Sequence, residues 1–130
     1  LILSDRKEQL DQIYDFFEDK RFAKIITGST AKKAREQGIQ DMRDGKLRIM
    51  LSTFAMSKKG LDIPRLDTLV LASPIKDYAL ITQAVGRSQR VFEGKDKAIV
   101  HDYVDSNIRY LNNMYRTRCR HYNKLNARYE

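Results

Sequence analysis

Eight consecutive residues, Gln83-Ala84-Val85-Gly86-Arg87-Ser88-Gln89-Arg90, carry the densest chemistry in the chain. Two arginines three positions apart share one side of a helical segment. A guanidinium is planar and always charged, which suits it to charge that builds on a transferring phosphoryl group. The same pair is also what a solvated basic turn carries. A second stretch is Ser52-Thr53 followed by Lys58-Lys59-Gly60-Leu61-Asp62-Ile63-Pro64. Thr53 offers a hydroxyl and an amide to a phosphate. Gly60 permits a tight turn that aims Asp62 as an acceptor toward a group such as a ribose hydroxyl; the plainer reading has Asp62 capping a short helical segment. The third cluster is Ser4-Asp5-Arg6. A hydroxyl and a guanidinium at a helix start can hold a phosphate between backbone N–H groups and a positive charge, or serve as an N-cap beside a solvated arginine.

Each cluster follows a segment that reads as a strand. Leu1-Ile2-Leu3 is a short buried strand with no lead-in, an opening that suits a piece of a longer protein. Residues 7–17 place Leu10, Ile13, Tyr14 and Phe17 at helical spacing, with Asp5 available as N-cap. The β-branched run 23–27 stops at Gly28-Ser29, a strand entering a turn. Residues 30–43 read as a helix capped by Thr30 and closed by Asp44-Gly45. Strands are expected at 47–54, 68–72 and 98–104, and a helix at 77–85 ending near Gly86. Strands and helices alternate over short connections, and the central strands are apolar on both faces. That pattern predicts an α/β fold with a parallel sheet covered on both sides, its chemistry at the carboxyl ends of the strands.

The chain has 130 residues, enough for one compact domain. Its single cysteine, Cys119, excludes an internal disulfide, and two distant histidines do not make a zinc site with it. No apolar run reaches the length of a membrane span, so a soluble, intracellular domain without membrane contact is expected. The net charge of +8 is unevenly placed: residues 1–45 balance, whereas residues 106–130 hold six Lys/Arg and one acid. In that tail Ile108, Leu111, Tyr115, Cys119, Tyr122, Leu125 and Tyr129 step by three or four, the stripe of one long helix. Such a stripe packs on its own protein or docks on a neighbouring domain. Its other side holds Arg109, Asn112, Asn113, Arg116, Arg120, Asn123 and Lys124 and is either a solvated face or a nucleic-acid contact.

In this order and spacing, residues 1 to about 105 resemble the C-terminal RecA-like domain of superfamily 2 helicases and translocases. Ser4-Asp5-Arg6 is similar to motif IV and residues 52–64 to motif V, and residues 83–90 match motif VI, Q-x-x-G-R-x-x-R, in full. Phe92-Glu93-Gly94-Lys95 and the run ending Asp102-Tyr103-Val104-Asp105 resemble the branch of phage DNA helicases and restriction-type translocases. The resemblance implies a three-layer RecA-like sandwich over 1–105, followed by a basic amphipathic helix at 106–130. It implies Arg87 and Arg90 at the γ-phosphate of ATP, with Arg90 as the arginine finger and Gln83 coupling nucleotide to the opposing domain. Gly60 and Asp62 would lie at the nucleotide edge. Thr53, Ser4, Arg6, Gly28, Ser29 and Arg35 would contact the nucleic-acid backbone.

Gln83-Ala84 stands where the DEAD-box RNA branch has His-Arg, which favours DNA over RNA. The chain contains no G-x-x-x-x-G-K-[ST] loop and no Asp-Glu pair in a Walker B setting. The resemblance therefore places ATP and its Mg²⁺ on an N-terminal RecA-like domain of the same full-length protein, with this chain inactive alone. A cytoplasmic location is expected with it, the host's cytoplasm for a phage-encoded protein. The rival is a non-catalytic basic α/β module that holds nucleic acid through 106–130. A receiver-like domain would need an acidic cluster that is missing.

Overall fold

A computed structural model describes residues 1–59, 61–88 and 91–130, apart from the side chains of residues 78, 80, 81, 87 and 88. Five strands, β1 (Ile2–Ser4), β2 (Ala23–Ile25), β3 (Ile49–Thr53), β4 (Thr68–Leu71) and β5 (Ile99–Asp102), form one parallel sheet in the order β2-β3-β1-β4-β5. The helices are α1 (Lys7–Asp15), α2 (Lys32–Arg43), α3 (Phe54–Lys58), α4 (Tyr78–Ser88) and α5 (Arg109–Lys124). The architecture is the expected three-layer α/β sandwich.

Strand alternation divides the sheet's side chains between two unequal layers. Ile2, Ile25, Ile49 and Leu51 face α1 and meet Leu10, Ile13 and Tyr14 there. Leu3, Met50, Leu69 and Leu71 face the larger core, which also takes Met42 of α2, Phe54 and Met56 of α3, Ala84 and Val85 of α4 and Tyr122 of α5. On the α1 side of β5, Ile99 and Tyr103 stay exposed. α2 comes close enough to β2's end that a Cβ on Gly38 would land on the Ile26 side chain, so glycine is required there by space.

Some local expectations are corrected. Asp5 is not the cap of α1: the Ser4 hydroxyl accepts from the Arg6 N–H at 3.0 Å and closes that turn. Nor does Thr30 cap α2. Its hydroxyl accepts from the Thr27 N–H at 3.0 Å, and the helix starts after Ala31. α4 runs on through Gly86 to Ser88, because Ala84 and Val85 anchor that turn in the core. Phe54 leaves the expected strand and opens α3, whose N-cap is the Thr53 hydroxyl.

α5 packs on α4, and its Arg118 and Tyr122 tie it to β5 and the larger core. The seam is not purely apolar: Ile108 and Tyr129 are exposed, and Arg118 is 1% exposed at its centre. Its guanidinium donates to both oxygens of Asp102, at 2.7 and 2.8 Å, and to the Ile75 carbonyl at 2.8 Å. The Tyr122 hydroxyl donates to Asp102 at 2.8 Å. Burial first, and the Asp102 charge second, hold the Tyr122 phenol far above its ordinary range. The folded chain keeps this proton where the unfolded chain releases it, above about pH 10, so stability falls as pH rises past that point. Thermal unfolding of Tyr122→Phe should show a shallower loss than the parent chain across about pH 10 to 11.

Candidate functional site

Parallel strands deliver their carboxyl ends to one edge, and connections leaving neighbouring strands for opposite faces open a crevice there. The β1 and β3 connections do this: one runs through α1 to β2, the other through α3 on the opposite face to β4. Between them lies a depression of about 380 Å³ lined by Asp5, Lys7, Gly28, Ser29, Thr53 and Phe54, among others. Three separate stretches of sequence thus meet in one place.

Gly28 and Ser29 are exposed, and a Cβ on Gly28 would meet nothing, so the backbone there is open to approach. The Ser29 hydroxyl takes a hydrogen bond from the Lys7 ammonium at 3.1 Å and lies 2.9 Å from that of Thr27. Thr53 Oγ1 accepts from the Met56 N–H at 3.3 Å. As an acceptor there, the hydroxyl keeps its proton for an outside oxygen. Ser4 is fully buried, donating to Gln9 Oε1 at 2.6 Å while accepting from Arg6, so it builds the turn from within. The Gln9 amide donates to the Ala72 carbonyl at 3.0 Å, and the Asp5 N–H to Ser73 at 3.0 Å. These bonds fasten the β1 turn to the end of β4. Arg6 is exposed at the α1 cap, and Arg35 is half-buried on α2; neither lines the depression.

Lys7 is the residue that sequence reasoning missed. A cation in the first turn of a helix opposes the helix dipole. That misplacement, directly after Ser4-Asp5-Arg6, was the available signal. Lys7 and Asp5 thus put one ammonium and one carboxylate on the lining of the same depression.

The second group lies on α4 and the loop after α3. Asp77 caps α4, accepting from the Ala79 N–H at 3.0 Å, and pairs with Lys58 of α3 at 3.6 Å. Gln83 and Gly86 are exposed on α4, and Arg87 lies on its backbone. Asp62 is exposed, its carbonyl accepting from Arg43 Nε at 2.6 Å. Gly60, Arg90 and the Arg87 side chain fall outside the described residues. No three His, Cys, Asp or Glu side chains gather to hold a metal among the described residues. No described helix is long and apolar enough to cross a membrane.

The family model described as the helicase conserved C-terminal domain matches residues 1–92. "Putative mitochondrial ATP-dependent helicase irc3" of Schizosaccharomyces pombe is 36% identical over 84 residues, which are 65% of this chain and 14% of that protein. "Probable helicase D10" of Escherichia phage T5 is 30% identical over 105 residues, 80% of this chain and 23% of that protein. "Putative ATP-dependent RNA helicase L396" of Acanthamoeba polyphaga mimivirus is 30% identical over 105 residues, 81% of this chain and 19% of its own length. The chain therefore spans less than a quarter of each of these relatives. Among solved structures, the C-terminal domain of the DEAD-box protein Dbp5 superposes with a TM-score of 0.72 at 21% identity, over 88% of this chain and 64% of that one.

Proposed function

The chain belongs to the helicase conserved C-terminal domain family, and from that premise we propose that it is the second motor domain of an ATP-dependent DNA helicase or translocase. The partner is an N-terminal RecA-like domain of the same protein, which grips ATP and holds Mg²⁺. Closure of the two domains brings Arg87 and Arg90 to the γ-phosphate, with Gln83, Gly60 and Asp62 at the nucleotide edge. An arginine delivered in this way supplies several kcal/mol to the transition state. Thr53, Gly28, Ser29 and Lys7 meet the phosphate backbone in the crevice, with Arg6 and Arg35 as outlying cations and Ser4 shaping the turn. Contacts of that kind ignore base sequence and weaken steeply with salt. One relative is named for RNA and another is a phage helicase, so the preference for DNA rests on Gln83-Ala84 and on the branch resemblance of residues 92–95 and 102–105.

Gly86 is the observation that carries this reading. Glycine inside a helix costs about 1 kcal/mol relative to alanine. A Cβ at Gly86 would meet nothing within 4 Å among the described residues, so none of them requires its smallness. On our reading the glycine serves the close approach of the nucleotide-bearing domain, on the face that also exposes Gln83. Gly86→Ala should therefore raise the stability of this chain by up to about 1 kcal/mol and slow ATP turnover by the longer protein. Turnover that stays at the parent rate in the stabilised variant would remove the support for a nucleotide on this face.

The direct test is ATP hydrolysis by this chain and by the longer protein, each with and without single-stranded and branched DNA or RNA. An inactive chain beside a nucleic-acid-stimulated longer protein is the expected result, and the better-stimulating polymer decides DNA against RNA. An inactive longer protein whose C-terminal part still binds nucleic acid would favour the basic binding module instead.

A further inference from the structure

The family match ends at residue 92, and α5 lies wholly beyond it. One side of this helix is locked to the body by the Arg118–Asp102 pair and by Tyr122. The opposite side exposes Arg109, Asn113, Arg116, Arg120, Asn123 and Lys124, which recur at helical spacing and make one straight row. At 1.5 Å per residue the row is about 22 Å long. No Asp or Glu occurs between Ser106 and Tyr129. Among the described residues no carboxylate pairs with Arg109, Arg116 or Arg120. The crowding of cations is felt on the helix itself: burial first, and then Lys124 and Arg120, hold His121 below its usual range.

We propose that the outer face of α5 is a docking surface for the phosphate backbone of double-stranded nucleic acid, separate from the crevice at the strand ends. Guanidinium and amide groups are the side chains that contact phosphate oxygens, and they carry no base specificity. Charge complementarity selects the polyanion, and rigidity selects the duplex. Flexible single strands are held by stacking bases on aromatic rings. The row contains none, and the exposed Tyr110 at its end has the Lys76 ammonium 6.0 Å above its ring. Cations spaced about 10, 6 and 6 Å along a straight helix instead suit the regular phosphates of a duplex, which a fixed row meets without ordering them.

The test replaces Arg109→Gln, Arg116→Gln and Arg120→Gln together in this chain, with Lys32→Gln, Lys33→Gln and Lys97→Gln as a variant of equal net charge. All six side chains are exposed, and thermal unfolding verifies that both variants are folded. Affinity for a duplex of about 20 base pairs is measured by anisotropy between about 50 and 200 mM NaCl. The expected result is a loss of more than about tenfold near 100 mM, with the slope of log affinity on log salt reduced by about 3, while the control variant changes little. An unchanged slope, an equal effect in the control, or no duplex binding by the parent chain overturns the proposal. So does a loss as large for a single strand of the same length. Loss of poly-glutamate binding with duplex affinity retained would reassign the face to an acidic protein. The readout is binding alone, so its failure leaves the Arg87/Arg90 reading standing, and the failure of that reading leaves this one.

Discussion

Replacing Arg90 with alanine in the longer protein is expected to lower ATP turnover by about three to five orders of magnitude while nucleic-acid binding survives. The size follows from when the contact is made. A guanidinium that reaches the phosphate only on domain closure lowers the barrier and adds little to ground-state binding. Turnover should therefore collapse with a small change in KM, and lysine at position 90 should recover little, because a point charge does not match the planar fork. Arg87→Ala is the companion experiment. If both arginines contact the transferring group, each single variant is severe and the double variant is scarcely worse. A rate near the parent's in Arg90→Ala would remove the finger from that position, and the same rate in both variants would remove it from the motif.

The second large effect is on folding. Arg118→Met should destabilise the chain by about 3–5 kcal/mol in urea unfolding, because it leaves the Asp102 carboxylate at the seam without its cation. The side chains of Arg118 and Asp102 are 2% and 10% exposed, so water does little to screen the loss. The Ile75 carbonyl also loses its donor. Replacing Arg118→Met and Asp102→Leu together should recover most of the stability, since two apolar groups of similar size remove the orphaned charge. A cost below about 1 kcal/mol for Arg118→Met alone would mean that the pair is solvated or unformed. The Ile75 bond reaches the segment that leads into α4, so the double variant is also expected to loosen the approach to the helix bearing Gln83 and Arg87.

The alternation of strands and helices was readable because each element satisfies a local rule: β-branched runs, apolar spacing and glycine stops. The crevice was partly readable for the same reason, since parallel strands put Thr53 and Gly28-Ser29 at one edge regardless of detail. What escaped depends on pairs distant in sequence. Arg118 and Asp102 are 16 residues apart, and an arginine on an apolar seam reads as a misfit until its partner is placed against it. Lys7 reaches Ser29 across 22 residues. α3 is only five residues long, too short for a period to be counted, and its cap is a threonine that reads equally well as the end of a strand. Ser4 looked available as a ligand, although its hydroxyl is engaged with Gln9 and Arg6.

The recurrent family unit and the unit that folds end at different places. The family match stops at residue 92, yet β5 hydrogen-bonds along β4 from Thr68 to Leu71, and Tyr122 sits in the same core as Leu3 and Met50. A lineage that kept residues 1–92 and exchanged residues 93–130 would have to supply a new edge strand and a new cover for α4 in the same event. Inheritance beyond the match is thus constrained by the motor it adjoins. The surface row on α5 closes no core, so changes in it alter what the face binds without disturbing the fold.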